Sequence, residues 1–369
     1  MTSDFRAARI LLLGDAEQIH LERWARYLGD IGHTVLTISL EKGSHFAGEV
    51  LKIGTPSWLP PFIRYPLSVP AVRREAQRFR PDIVNAHFLP NYGMIAALLG
   101  YTPWVLSTWG SDIMLLPQRS AFHAWRTRYV IGKASHITSD ADVMTRRLAE
   151  LGAPADRIHT FPYGVDRSLF HRTDEPRTTD GPRILSNRKL ESLYSIDTLL
   201  TAFPRVRSEA PEAELTIAGK GSMEGELKRQ AEQTGEGKTI RFAGLVPHIE
   251  LPARLRQHDI FVSVSLSDTT SVSLLEAMAC GVFPIVSDIP ANREWIRDGE
   301  NGYLVPTQDP GALAHAIARA WKNVNVRRDA ADANEEIIRS RADWTENMRA
   351  VAELFDRLLC ESDGVKPCS

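Results

Sequence analysis

Asp268 and Glu276 stand eight residues apart in Ser265-Leu-Ser-Asp-Thr-Thr-Ser-Val-Ser-Leu-Leu-Glu-Ala-Met-Ala-Cys-Gly281. The apolar run Ile260-Phe-Val-Ser-Val264 precedes this stretch and reads as a strand that ends near Ser265. A loop of small hydroxyl residues follows, and a helix begins near Val272. The first N–H groups of a helix have no intrahelical acceptor, so Thr270, Ser271 and Val272 frame a ready phosphate site. Asp268 lies just before that loop and Glu276 one turn into the helix. The same residues allow a plainer reading. Ser273-Leu-Leu-Glu276 fits a capping box, in which Glu276 only caps its helix.

Other candidates lie in the first half of the chain. His20 falls in or just after the first strand-to-helix loop, and His87 at the end of a predicted strand. Ligands in doubly wound folds gather at such strand ends, although a lone histidine also serves as a structural hydrogen-bonder. Trp109-Gly-Ser-Asp112 offers an indole N–H and a flat face, and a carboxylate that either serves a site or caps a turn. Lys189 and Lys220 are cations that a site could use or that solvent could simply cover.

The elements that must position these residues follow from hydrophobic periodicity. Arg9-Ile-Leu-Leu-Leu13, bounded by Gly14-Asp15, reads as a buried parallel strand. Leu21, Trp24, Ala25 and Leu28 recur at helical spacing, Gly29 and Gly32 end that helix, and Thr34–Ile38 is the next strand. Such a βαβ unit implies a parallel sheet. Strands are predicted again at 82–86, 104–108, 136–139 and 158–161, with a helix near Met94–Leu99. Residues 176–182 are polar and rich in breakers, which places a domain boundary there. A second series follows, with strands at 183–186, 214–217, 239–242, 260–264 and 283–286. The expected fold class is α/β, with two Rossmann-like doubly wound domains, 1–176 and 183–345, facing across a cleft. A C-terminal helix, 346–369, is expected to pack back on the first.

Bulk properties narrow the class. At 369 residues the chain suits two domains. Formal net charge is -2, but residues 1–178 carry 21 Lys and Arg against 17 Asp and Glu, and the rest 23 against 29. With an acidic second half and no known module, nucleic-acid binding is a poor fit. Cys280, Cys360 and Cys368 are few, odd in number and far apart, which argues against a disulfide framework or a zinc site. Neither a signal peptide nor a run long enough to span a bilayer is visible, so the expectation is a cytoplasmic protein, attached to a membrane at most peripherally on its inner face.

The Asp268–Glu276 stretch resembles the Glu-x7-Glu motif of retaining glycosyltransferase family 4, whose fold is called GT-B. Leu275–Gly281, Pro284-Ile-Val286 and Asp298-Gly-Glu-Asn-Gly-Tyr-Leu-Val305 are similar to that family's continuation, in order and spacing. Looser similarity covers Gly14-Asp15, Gly32-His33, Thr108–Asp112, Pro162-Tyr-Gly-Val-Asp166 and Ala218-Gly-Lys-Gly221. The resemblance implies a donor that is a nucleotide-diphosphate sugar, used as co-substrate with no cofactor and no catalytic metal. It implies that Glu276 holds the ribose hydroxyls, that Asp268 faces the donor sugar, and that the N–H groups near Ser271 and Val272 take a phosphate. Arg188 would grip the diphosphate.

Three departures stand out. Asp268 replaces the family's usual glutamate and is one methylene shorter. Where the family has a phosphate-binding lysine, this chain has Tyr194, and a phenol cannot replace an ammonium. Lys189 or Lys220 would have to supply that charge. Where the family often has His-Gly-x-x-Asp, this chain has Trp109, so the histidine that ordinarily touches the donor sugar is missing.

The acceptor side is read from composition. Residues 51–80 hold six basic residues and one acid, with Trp58, Phe62, Ile63 and Tyr65 beside them. Arg119–Lys133 holds four cations, no acid, and Trp125 and Tyr129. Basic segments with aromatics suit an anionic membrane surface, which would fit a sugar or lipid-linked acceptor in cell-surface polysaccharide or glycoconjugate synthesis. A solvated helix face with its aromatics turned inward explains the same residues. The competing functions are a sugar-nucleotide epimerase on the same fold and a non-catalytic nucleotide-sugar-binding scaffold.

Overall fold

The computed structural model describes residues 5–41, 43, 46, 48–56, 58–173 and 180–362. Ser57, Cys368 and most of the breaker-rich stretch from Pro176 lie outside the described residues. Contacts divide the chain into two compact units. Residues up to Pro162, with those from Glu346 onward, form the first, and Tyr163–Thr345 the second.

The first unit is built on seven parallel strands, β1 (Arg9–Leu13), β2 (Thr34–Ser39), β3 (Val50–Lys52), β4 (Ile83–His87), β5 (Trp104–Ser107), β6 (His136–Ser139) and β7 (Ile158–Thr160). Their order is β3-β2-β1-β4-β5-β6-β7. Ile10 to Leu13 of β1 are completely buried, as a central parallel strand covered on both faces requires. The first helix, Ile19–Asp30, buries Leu21, Trp24, Ala25 and Leu28, the face expected from spacing. The helix Pro61–Phe79 tolerates Pro66 and Pro70, and buries Tyr65, Val69, Val72 and Ala76 against the sheet.

The second unit holds β8 (Arg183–Ser186), β9 (Glu214–Ala218), β10 (Ile240–Gly244), β11 (Ile260–Ser263), β12 (Phe283–Ser287) and β13 (Tyr303–Val305), all parallel, in the order β10-β9-β8-β11-β12-β13. β3 and β13, three residues each, were not expected. Both are edge strands too short to show a period.

The boundary read at 176–182 is corrected by the contacts to a point after Pro162. The reason is packing. Val165 pairs with Ala342 and Trp344 through its backbone, and Val165 and Phe170 are buried in the second unit's core. The chain has therefore joined the second unit well before it reaches the polar stretch. Cys280 and Cys360 are buried thiols. No helix among the described residues is long and apolar enough to cross a membrane.

Candidate functional site

In the second unit, β8 and β11 are neighbours, with Ile184 opposite Ile260 and Leu185 opposite Phe261. That pairing brings the loop after Ser186 against the loop after Ser263. Arg188, almost completely buried, donates from Nη2 to Asp268 Oδ2 at 2.5 Å and from Nη1 to Ser271 Oγ at 2.6 Å. Its guanidinium lies over the Tyr194 ring, 4.5 Å from the centroid. The tyrosine that takes the place of a lysine is therefore a platform for the remaining arginine. Asp268 Oδ1 also accepts from the Thr269 N–H at 3.0 Å.

The helix Val272–Ala279 starts at an N-cap of Ser271, whose Oγ accepts from the Leu274 N–H. The capping box Ser273–Glu276 is thus not formed. Ser273 Oγ donates to the Asn187 carbonyl at 3.3 Å instead. Glu276, 4% exposed, sets Oε1 against His248 Nε2 at 3.0 Å. His248 comes from the loop after β10, with its ring centroid 5.0 Å from that of Phe170. Thr270 is buried beside Ser271.

Glycine shapes the rest. A Cβ on Gly219 would stand 2.2 Å from the Arg188 carbonyl oxygen, and one on Gly221 2.2 Å from that of Leu190. The β9 loop therefore presses its backbone directly on the Arg188 loop. Lys220, between these glycines, and Lys189 both leave their side chains in solvent, outside the buried cluster. Three successive residues at the end of β8 keep a buried polar atom without a hydrogen-bond partner: Ser186 Oγ, Asn187 Oδ1 and Arg188 Nε. Buried polar groups are normally paired, so these atoms mark a place prepared for a polar ligand. Arg188 Nε donates and Ser186 Oγ can donate, so with the N–H groups at the start of the helix these two suit a phosphorylated ligand, whereas Asn187 Oδ1 accepts and suits a ligand's own donor.

In the first unit, the ends of β4 and β5 and the first helix bring His20, His87, Trp109 and Asp112 together. His87 is 1% exposed, and burial, reinforced by the nearby His20, pushes its imidazole down to about 3. It is neutral, and its tautomer is fixed. Asn85 Nδ2 donates to the Val105 carbonyl at 3.0 Å and to Ser107 Oγ at 2.9 Å, so Asn85 Oδ1 must accept. It accepts from His87 Nε2 at 2.8 Å, which leaves Nδ1 with a lone pair that receives the Trp109 Nε1–H at 3.3 Å. The indole lies edge to face with His20, His87 and Phe88, at centroid separations of 5.9, 5.9 and 6.5 Å.

Asp112 is completely buried, which pushes its carboxyl up to about 6 against the pull of backbone donors. It accepts from the Leu89 N–H through Oδ2 and the Trp109 N–H through Oδ1, both at 3.0 Å. Its role in the structure is to pin both loops. Phe88, next to Leu89, has φ +72 and opens a single π-turn, Phe88–Gly93. Strained, irregular backbone of this kind concentrates at functional sites. Gly14 sits where a Cβ would collide with Leu21 at 2.7 Å. Asp15 is occupied by its own turn, accepting from the Glu17 N–H at 3.0 Å and from Gln18 Nε2 at 2.9 Å.

Sequence reasoning missed Asn85, His248 and a third cluster. Glu41, at the end of β2, accepts from Tyr65 at 2.8 Å and from Tyr92, and faces Arg64 at 3.6 Å. Asn85 had a signal, a polar residue inside an otherwise apolar strand. His248 and Glu41 had none, because only the assembled sheet brings them to their partners. No group of three or more His, Cys, Asp or Glu among the described residues is placed to hold a metal ion.

Comparison with known proteins adds a lineage to this geometry. Residues 169–337 match the family described as Glycosyl transferases group 1, and residues 9–141 the one described as Glycosyl transferase 4-like. Phosphatidyl-myo-inositol mannosyltransferase of Mycobacterium leprae is 31% identical over 229 residues, which span 60% of this chain and 59% of that protein. Sucrose-phosphate synthase from Thermosynechococcus elongatus shares the fold with a TM-score of 0.85 at 18% identity, over 96% of this chain and 100% of that one. Anabaena HepE, solved in complex with UDP-glucose, gives a TM-score of 0.78 at 18% identity, over 94% and 99%.

Proposed function

The chain belongs to the family 4-like glycosyltransferases of GT-B fold, and from that premise we propose that it transfers a sugar from a nucleotide-diphosphate sugar to an acceptor with retention of configuration. The observation that carries this reading is the convergence of Arg188, Asp268, Ser271 and a helix N-terminus, with Glu276 one turn along. In this reading the diphosphate binds the N–H groups at Val272 and the guanidinium of Arg188, which stabilise charge developing on the leaving group. Glu276 keeps Oε2 for the ribose hydroxyls while His248 holds Oε1. Asp268 faces the donor sugar, and the attack takes place on the face the diphosphate leaves, assisted by that phosphate.

A thermal-shift panel with UDP, GDP, ADP, dTDP and CMP, on wild type and Glu276→Ala, tests the donor site. A ligand at about 100 times its Kd stabilises by roughly 2.7 kcal/mol. One diphosphate should shift wild type and not the variant. A variant that responds like wild type would remove Glu276 from the site. No response to any nucleotide would overturn the transferase reading and the nucleotide-sugar-binding scaffold together, and binding without transfer would favour the scaffold, the reading that the missing lysine motivates.

The acceptor is proposed to be lipid-linked or membrane-proximal. Phe122 and Trp125 are 49% and 57% exposed and stack with Tyr129 along one face of the helix Ala121–Lys133. Arg128 and Lys133 are exposed on that helix, whereas Arg126 is buried and Tyr65 is turned inward to Glu41, so neither of these two serves a surface. The Mycobacterium leprae relative, whose name gives a lipid acceptor, agrees with this reading. Co-sedimentation with phosphatidylglycerol vesicles at low salt checks it. Protein left in the supernatant would count against a membrane-bound acceptor.

A further inference from the structure

Trp109 has one polar atom, Nε1, and it is taken up inside the protein by His87 Nδ1 at 3.3 Å. Every step behind that bond is fixed by a group that cannot change its role. The Val105 carbonyl can only accept, so it orients the Asn85 amide, and the amide sets the His87 tautomer. The backbone is held too, since the Trp109 N–H donates to Asp112. Three rings pack against the indole at steep angles. Yet Trp109 is not fully buried, unlike Thr108 and Gly110 on either side of it. A rigid, partly exposed indole with no free hydrogen-bonding atom presents one thing to a ligand, its apolar surface.

We propose that Trp109 is a stacking platform for the C–H face of a pyranose ring, and that His87 is the positioning residue that holds the platform in place. The proposal rests on the glycosyltransferase reading, which supplies the pyranose. It changes what the Trp109 cluster can recognise. A histidine there would bond a hydroxyl and reject a sugar lacking it, whereas an apolar surface discriminates weakly between hydroxyl patterns. The pyranose is either the donor's hexose or the acceptor's terminal sugar, and both present the same C–H face.

The test uses the full chain with UDP-glucose, GDP-mannose, the parent nucleotides UDP and GDP, and methyl α-glucopyranoside. Trp109→Ala should bind a nucleotide sugar or the glycoside about tenfold more weakly than wild type, with Trp109→Phe close to wild type. Affinity for the parent nucleotide should stay within about twofold in both. Loss confined to the nucleotide sugar assigns the platform to the donor, and loss confined to the glycoside assigns it to the acceptor. His87 is tested by the indole N–H signal of Trp109 in a 15N-tryptophan spectrum, identified by its absence in Trp109→Phe. His87→Leu should shift that signal and weaken sugar binding. His87→Gln, whose amide can accept from Trp109 and donate to Asn85, should restore both. Trp109→Ala binding sugar as well as wild type overturns the platform, even while nucleotide binding upholds the transferase reading. Wild type that binds no sugar of the panel but does bind a nucleotide overturns the platform alone, and binding of neither overturns both.

Discussion

The guanidinium of Arg188 lies 2.5 Å from the carboxylate of Asp268, so the arginine proposed to bind a phosphate is also the partner of the acid that precedes the loop. The two residues are far apart in sequence and meet because β8 and β11 are adjacent. Their charges cancel in the absence of a ligand. In the proposed donor site a phosphate would therefore meet mainly backbone donors, together with an arginine already occupied, and each partner's removal has a distinct consequence.

Asp268→Asn should leave an uncompensated guanidinium at the phosphate site. Diphosphate binding, read by calorimetry with UDP or whichever nucleotide the panel selects, is expected to match or exceed wild type. Transfer, read by release of nucleotide in the presence of acceptor, should fall by about 100-fold or more. Weaker diphosphate binding in this variant would show that Asp268 does not restrain Arg188.

Arg188→Ala removes the partner of Asp268 and of Ser271 together. A loss of roughly 2–4 kcal/mol in denaturant unfolding is expected, less than for a fully buried pair because Asp268 keeps 18% of its side-chain surface in solvent. Affinity should drop more for the diphosphate than for the nucleoside. Arg188→Lys should recover part of the stability and little of the diphosphate binding, since an ammonium cannot serve two acceptors in a planar fork over Tyr194.

Glu276→Gln keeps the shape and removes the charge. Nucleoside binding should weaken by about tenfold, the scale of a charged hydrogen bond made neutral. His248→Ala should weaken it less, by freeing Oε1 and loosening the carboxylate. Nucleoside titrations on both variants check the order. A larger effect from His248 would mean that it, and not Glu276, contacts the ligand.

Gly219→Ala should be among the most destabilising single-methyl changes in the second unit. Its φ is +154 and its Cβ would sit 2.2 Å from the Arg188 carbonyl oxygen, so a methyl brings both backbone strain and a clash. A cost on the order of 1–3 kcal/mol or more is expected in thermal unfolding. An unchanged melting temperature would show that the β9 loop does not bear on the Arg188 loop.

Acid should expose the buried imidazole. His87 ordinarily titrates at 6.5 and in the fold at about 3, so the unfolded chain gains a proton first and stability falls as pH drops from 6.5 toward 3. Asp112 works in the opposite sense. Its carboxyl moves from 3.8 up to about 6, so the folded chain gains that proton first and stability rises between pH 6 and 3.8. His87→Gln removes only the first effect. The stability gap between wild type and variant should change by up to about 1.4 kcal/mol per pH unit below 6.5, to the disadvantage of wild type. A pH-independent gap would mean that His87 is not held neutral.

Local pattern was enough for much of this. The run Arg9–Leu13, the spacing of Leu21, Trp24, Ala25 and Leu28, and the loop-to-helix order from Ser265 to Gly281 follow from burial and periodicity within a dozen residues. So did the identity of the residues at strand ends, His87 and Trp109 among them. Two readings turned on packing, the choice of helix cap and the boundary read at 176–182. Ser271 rather than Ser273 caps the helix, because Ser273 turns to the Asn187 carbonyl. The chain joins the second unit at Tyr163, because Val165 and Phe170 are buried there.

The sequence by itself determined the central strands and helices and how they alternate, and placed Arg188, His87, Trp109 and Asp268 at or just beyond the carboxyl ends of strands, but not the short edge strands β3 and β13. Tertiary structure alone decided which of those side chains meet. Arg188 reaches Asp268 and Trp109 reaches His87 because β8 pairs with β11 and β4 with β5, and Glu276 reaches His248 from the β10 loop although β9 and β8 lie between β10 and β11. Periodicity reports which face of an element is buried. It carries no record of the partner on the other side, which sets the occupancy of Arg188, or of the depth of burial in the assembled unit, which shifts His87 down and Asp112 up.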